Sequence, residues 1–438
     1  MINKITAALG ALVLSIVFVL VIKPDSTGLT TVKSYPATVC PANLSDSTST
    51  SVLPSSKTLV KQIPSKKNTL AKAKTSFYLS SNPLLVEGNS ETSINVTRSK
   101  SSSLAMVVCS ISSGDQWFVG GSGAVTSKSS LAIINSGLST SIVDLIVYSS
   151  TSVSSVISVR ILKNSSKRIY LDTLAPGENS LVIHAITRSG RVTTFLHDQR
   201  QRGLVALGGD FVSQGADPAT RVVIPAVSNI SRTSRAAGNS NQTLRILAPG
   251  KISANVRVIL VSTDGTFAPL ELDDIYVKAG KVKDISFKPV VNSRNFSLVL
   301  TSDRPIVAAV KSSGVFNGAN EFAWSTAGHE LRDVTIFFGG LRPDVVFQGK
   351  NFEVDVQWTD KKRKVYSTTV RSGNSDNLAT WLPKSGVLSA RFSTVNGKVY
   401  GGAIFKEKIG FSHLPLVAGA QLESSAVPSS DTKVITRE

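Results

Sequence analysis

The sequence predicts an all-β chain: tandem immunoglobulin-like β-sandwich modules following one N-terminal transmembrane helix. Three observations predict it. First, apolar residues alternate with polar ones, as in Val256, Val258 and Leu260 and again in Phe296, Leu298 and Leu300, the period of a half-buried strand. Second, turn pairs punctuate the alternation, among them Asp264-Gly265 and Ala279-Gly280, and Asp-Gly favours a tight hairpin. Third, the strand–turn–strand pattern recurs at roughly a hundred residues, the length of an immunoglobulin-like sandwich and too long for a propeller blade. Of the 438 residues, 41% are hydrophobic and 18% charged, enough for several cores.

Ile5 to Ile22 is free of charge and bounded by Lys4 and Lys23. As a helix at ~1.5 Å per residue it spans roughly 27 Å, close to the ~30 Å of a bilayer core. It ends in Val21-Ile22-Lys23-Pro24 without a small-residue cleavage site, so residues 1–22 read as an uncleaved signal anchor, with a cleaved signal peptide as the alternative. The polar remainder then lies outside the cytoplasm, on a single-pass cell-membrane anchor.

Residues 23–75 are rich in Ser, Thr, Pro and Lys and read as a stalk. Lys57, Lys61, Lys66, Lys67, Lys72 and Lys74 follow one another with no acidic residue among them. They form either a solvated tether or a contact for anionic lipid or cell-wall polymer. The net charge of +19 points the same way. The two cysteines, Cys40 and Cys109, are expected to pair in an extracytoplasmic chain.

Three modules follow, at 76–208, 209–320 and 321–415, with a disordered tail at 416–438. Each closes on a short turn carrying a basic residue: Ser189-Gly190-Arg191, Ser302-Asp303-Arg304-Pro305 and Asn396-Gly397-Lys398. Cys40-Pro41, the Trp117-Phe118-Val119-Gly120-Gly121 stretch and the run from Ser302 to Ala308 resemble a family of uncharacterised secreted or membrane-anchored actinobacterial proteins built from β-sandwich repeats. The resemblance spans residues 35–410 and implies location and fold. It implies no chemistry, and the third module lacks the Ser-Asp-x-Pro turn.

Catalytic signals are absent. His184, His197, His329 and His413 are dispersed, and His329-Glu330-Leu331-Arg332-Asp333 is not the His-Glu-x-x-His of a zinc protease. Gly120-Gly121-Ser122-Gly123-Ala124 falls one glycine short of a nucleophile elbow. The adjacent acids Glu271, Asp273 and Asp274 lack the ligand spacing of a calcium loop, and Trp117, Trp324, Trp358 and Trp381 read as core residues. No cofactor, metal or nucleic acid is expected. The chain therefore reads as a non-enzymatic protein of envelope binding, adhesion or scaffolding, contacting anionic wall polymer, lipid or an envelope protein. The alternative is an accessory subunit of an envelope polysaccharide or peptidoglycan enzyme.

Overall fold

The computed structural model describes residues 31–34, 36–42, 44, 48–65, 69–79, 81–88, 91–99, 103–230, 241–316, 318–419 and 423–426. The signal anchor at 1–22 and the end of the tail, 427–438, lie outside the described residues. Among the described residues no helix is long and apolar enough to cross a membrane. The chain is nearly all β, with 63% strand and 2% helix. Among the described residues the helical pieces include one turn at Leu171–Leu174 and one 3-10 turn at Leu270–Leu272.

An antiparallel ribbon of β1 (Thr31–Ser34) and β32 (Glu423–Ala426) forms one compact part. Residues 36–421 form the other, and its thirty strands fall into four units in chain order. The first holds β2 (Thr38–Cys40), β3 (Thr48–Ser51), β4 (Leu59–Gln62), β5 (Ala71–Lys72), β6 (Phe77–Tyr78), β7 (Leu84–Glu87), β8 (Ile94–Ser99) and β9 (Ser103–Val108). The second holds β10 (Asp115–Val119), β11 (Ser130–Asn135), β12 (Ser141–Ser149), β13 (Ile157–Ile161), β14 (Ser165–Tyr170), β15 (Leu181–Ser189), β16 (Val192–Arg202) and β17 (Val205–Val212). The third holds β18 (Ala219–Ser228), β19 (Asn241–Leu247), β20 (Ala254–Ser262), β21 (Gly265–Phe267), β22 (Ile275–Val277), β23 (Val282–Phe287), β24 (Asn295–Phe316) and β25 (Ala319–Thr326). The fourth holds β26 (Asp333–Leu341), β27 (Asp344–Asp360), β28 (Val365–Arg371), β29 (Asn377–Trp381), β30 (Val387–Glu407) and β31 (Gly410–Pro415).

All four units share one topology. In the first, β2-β7-β4-β5 forms one sheet and β6-β3-β8-β9 the other; in the second, the orders are β10-β15-β12-β13 and β14-β11-β16-β17. The third repeats them as β18-β24-β20-β22 and β23-β19-β24-β25, with β24 serving both sheets. In the fourth, β27 and β30 each run from one sheet into the other. The common order is first-sixth-third-fourth and fifth-second-seventh-eighth.

Two expectations are corrected. The turns that seemed to close each module are the crossings from sixth to seventh strand, and an eighth strand follows each of them. Gly190, at φ 85, makes one crossing; a Cβ there would fall 1.9 Å from Ser141 Oγ, so glycine is required. In the third and fourth units the strand passes through the crossing without breaking.

The stretch read as a stalk is also folded: β2, β3, β4 and β5 lie within it, so the chain has four units and the first begins near Pro36. Its hydrophilic composition misled because the buried hydroxyls satisfy one another. Thr48 and Thr97 meet at 3.0 Å, and Asn95 Nδ2 donates to Thr50 Oγ1 at 3.1 Å and to the Pro41 carbonyl at 3.3 Å. Paired in this way, such groups tolerate burial. The start of the expected tail is packed too, since Leu416 is buried in the core of the fourth unit.

The apolar core runs across the unit boundaries and closes on itself. Val39, Ala105 and Val107 of the first unit cluster with Ile134, Phe195 and Phe211 of the second. Leu131 and Leu196 of the second share a cluster with Val307 and Trp324 of the third. Val223, Ala226 and Val299 of the third pack with Val346 and Ile404 of the fourth. Phe347 and Phe405 of the fourth then cluster with Val96 and Met106 of the first.

Candidate functional site

The four eighth strands, β9, β17, β25 and β31, flank one another in a closed cycle. Among the described residues no backbone ladder joins them, so their N–H groups need other partners. Two carboxyl groups supply them. Glu321 on β25 accepts from Leu104 N at 3.2 Å through Oε2, and from Gly209 N at 3.2 Å and Phe322 N at 2.9 Å through Oε1. Asp210 on β17 accepts from Met106 N at 3.3 Å and Ser412 Oγ at 2.7 Å through Oδ1, and from Trp324 N at 3.1 Å through Oδ2. Each carboxyl thus joins three or four units. Burial pushes both well above the ordinary carboxylate range, while the converging donors pull the other way.

A second buried polar layer joins the second and third units. Asp198 accepts from Ser129 Oγ at 2.6 Å, Arg200 Nε at 2.7 Å and Trp324 Nε1 at 3.0 Å. Burial raises its pKa, but Arg200, Ser129 and Lys311 more than offset that and hold the carboxyl well below the usual range. Arg245 grips Asp284 through two bonds of 2.8 Å. Its Nη1 donates to the Gly121 and Leu181 carbonyls at 2.9 and 3.0 Å, and its guanidinium lies 5.0 Å from the Trp324 ring. Lys311, in the same layer, is pushed down to about 8 by burial, with Arg200 and Arg245 adding to it.

The segments that leave the four eighth strands meet at one end of this axis. They line a cleft of about 260 Å³ that includes Ile111, Ser112, Gln214, His329, Val417 and Ala418. Its chemistry is apolar side chains and hydroxyls with one exposed imidazole, His329. Ser112 Oγ faces Thr193 Oγ1 at 3.4 Å, a hydroxyl pair without a base. His184 Nε2 donates to Asp115 Oδ1 at 2.8 Å, and its ring stacks on Trp117 at 3.8 Å. His197 and His413 are buried, which pushes each down to about 4. Among the described residues no group of three or more His, Cys, Asp or Glu is placed to hold a metal.

Cys40 and Cys109 are bonded to each other, tying β2 to the end of β9. The six lysines do not form one exposed strip. Lys57, Lys72 and Lys74 are exposed, and Lys66 and Lys67 lie outside the described residues. Lys61 is buried on β4, opposite Leu85 and between β5 and β7. The flexible basic stalk is therefore corrected: part of it is a strand in the middle of a sheet. Trp117, Trp324 and Trp381 are core residues. Glu271, Asp273 and Asp274 are exposed.

Sequence reading missed Asp198, Asp210, Arg245 and Glu321. For three of them the signal was present: Asp210, Arg245 and Glu321 are each a lone charge inside a strand, as in Gly208-Gly209-Asp210-Phe211 and Glu321-Phe322-Ala323-Trp324, where burial demands a partner; Asp198 shares its strand with Arg200 and Arg202.

These features define a class: an all-β protein of repeated two-sheet units whose buried ionisable groups bind the units together. The chain belongs to a family of unknown function, DUF5719, whose model matches residues 80–378. That match begins in the first unit and ends in the fourth. No curated protein matches the chain. Among solved structures, a tetra-tandem repeat from the extending region of a large adhesion protein is 9% identical, with 91% of this chain and 100% of that chain covered and a TM-score of 0.12. Infectious bursal disease virus, Gx strain, is 10% identical, with 93% and 86% covered and a TM-score of 0.13. At such scores neither likeness bears on fold or function.

Proposed function

We propose that this chain is a non-enzymatic, membrane-anchored extracytoplasmic protein whose four-unit body is a rigid binding or scaffolding module of the cell envelope. One observation carries the reading: the strongly perturbed carboxyls Asp198, Asp210 and Glu321 are committed to N–H groups of neighbouring units, Asp198 also to Arg200 of its own strand. The hydroxyls they touch, Ser129 Oγ on Asp198 and Ser412 Oγ on Asp210, are buried between strands with them, so we read these perturbed groups, which elsewhere mark active sites, as structural here. The disulfide supports an oxidising compartment, and the apolar run from Ile5 to Ile22 supports the anchor.

We read the units as variants of the immunoglobulin-like sandwich. The third strand lies beside the sixth and the second beside the fifth, as C–F and B–E do in that fold. The seventh strand departs from it, lying beside the second.

The cleft at the end of the axis is the binding mouth in this reading. A photo-crosslinking residue at Gln214 or Val417 of the full-length chain, activated in intact cells, is expected to capture an envelope component. The same residue at exposed Val290 serves as control. Equal yields from all three positions overturn the reading of the mouth. Free thiols at Cys40 and Cys109 in acid-trapped cells overturn the extracytoplasmic location.

A further inference from the structure

Among the described residues a dense basic surface lies at one end of the fourth unit, where three loops meet. The β27–β28 hairpin supplies Lys361, Lys362, Arg363 and Lys364, the β26–β27 turn supplies Arg342, and the loop after β29 supplies Lys384; all six are exposed. Lys361 marks the meeting of the loops: a Cβ added at Gly340 or at Gly386 would fall 2.7 Å from its Cε. The hairpin has a fixed shape. Asp360 Oδ1 accepts from Lys362 N at 2.8 Å and Lys364 N at 3.0 Å, its Oδ2 accepts from Tyr366 OH at 3.2 Å, and Arg363 sits at φ 62. The hairpin's one carboxylate is thus held by its own backbone and Tyr366, and its single negative charge leaves the four cations of the tip in excess.

Two further features adjoin this tip. Tyr366, 36% exposed, stacks on Trp358 at 5.4 Å and 17°, with the Lys364 ammonium 5.3 Å from its ring. A polar trough of about 440 Å³ also runs along the outer face of the sheet, lined by Asp355, Gln357, Ser367, Thr369, Arg391 and Ser393. The register carries it to the hairpin: Asp355 lies opposite Thr369, Gln357 opposite Ser367 and Thr359 opposite Val365. At ~3.3 Å per residue the distance from Asp355 to Lys361 is roughly 20 Å. Arg391 is held by Asp333 at 2.9 and 2.6 Å, and Thr369 donates to Asp355 at 2.7 Å, so the trough has a fixed arrangement.

We infer that this end of the fourth unit binds an anionic polysaccharide. Its acidic groups meet the six cations and its hydroxyls lie in the trough. The length of the polar trough favours an extended polymer over a lipid headgroup, which fills only the tip. Val365 and Leu382, 57% and 50% exposed, are too few to form an inserting apolar patch. This inference rests on the extracytoplasmic reading above.

The test uses the purified full-length chain with phosphomannan, unsubstituted mannan, inorganic polyphosphate and phosphatidylglycerol vesicles as probes. Phosphomannan is expected to bind best, with affinity falling as salt rises. Replacing the tip by Lys361→Gln, Lys362→Gln, Arg363→Gln and Lys364→Gln should weaken it at least about tenfold. Ser367→Val with Thr369→Val, in the trough, which leaves the charge unchanged, should weaken phosphomannan but not polyphosphate. Unchanged phosphomannan affinity in a folded tip variant overturns the inference. So does equal binding of mannan, equal loss of both polymers in the trough variant, or retention on vesicles alone. Any of these leaves the envelope-scaffold reading intact, since that reading depends on crosslinking at a different surface.

Discussion

At the scale of single residues, Glu321 is the most informative side chain. Its two oxygens satisfy three strand N–H groups from three units. Glu321→Ala would leave those groups buried and unpaired, a loss of at least about 3 kcal/mol at ~1–3 kcal/mol each, measurable by urea unfolding. The pH dependence follows from the direction of the shift. Because the folded carboxyl titrates above the ordinary 4.5, the folded state holds a proton that the unfolded state has released. The stabilisation is complete below 4.5 and is lost as pH rises through the folded value. Glu321→Gln should reduce that slope, the remainder coming from Asp210, whose carboxyl is shifted in the same direction. The buried imidazole of His413 acts on the opposite side. Its folded value of about 4 lies below the ordinary 6.5, so its contribution is present above 6.5 and is lost as pH falls towards 4. A flat profile for both limbs in the wild-type chain would refute these assignments.

At the scale of elements, the first unit is the weakest. Its dedicated core cluster includes only small or medium side chains, among them Val52, Val60, Ala73 and Leu84, and several of its strands have two to four residues. The Cys40–Cys109 bond spans 69 residues and encloses nearly the whole unit. A loop of that length stabilises by about 4 kcal/mol in the chain-entropy picture. Cys40→Ser with Cys109→Ser should therefore make residues 48–87 the first protease-sensitive part of the body. Limited proteolysis with mass spectrometry reads this directly, and first cleavage in the second or third unit would contradict it.

At the scale of the whole molecule, the four units differ from beads on a string. Each shares an apolar cluster with the next, the fourth shares one with the first, and two buried carboxyls link the eighth strands. Separate domains in one chain usually meet over modest polar interfaces; these meet through a continuous core. Calorimetry of residues 36–421 within the intact chain should show one cooperative transition. Removing 333–419 should lower the unfolding temperature of what remains, the first unit included, because Val96 and Met106 lose their cover. An unchanged unfolding temperature would show that the cycle contributes little.

The sequence by itself determined the all-β class, the cysteine pairing and the hairpin at Asp264-Gly265, because period-two patterning and turn chemistry are local and leave a direct trace in residue order. It also placed most strands of the second and third units, whose alternation is clean. Only the tertiary structure decided that there are four units. The first is built from Ser- and Thr-rich strands whose buried hydroxyls pair across the sheet, so its composition matched that of a tether. Only the tertiary structure turned the three supposed closing turns into crossings, because an eighth strand makes sense only where its partners from the other units lie beside it. The roles of Asp210, Glu321 and Arg245 were hidden for the same reason: a lone charge in a strand acquires its meaning from donors and acceptors far away in the chain, such as Leu104 N for Glu321 and the Gly121 carbonyl for Arg245.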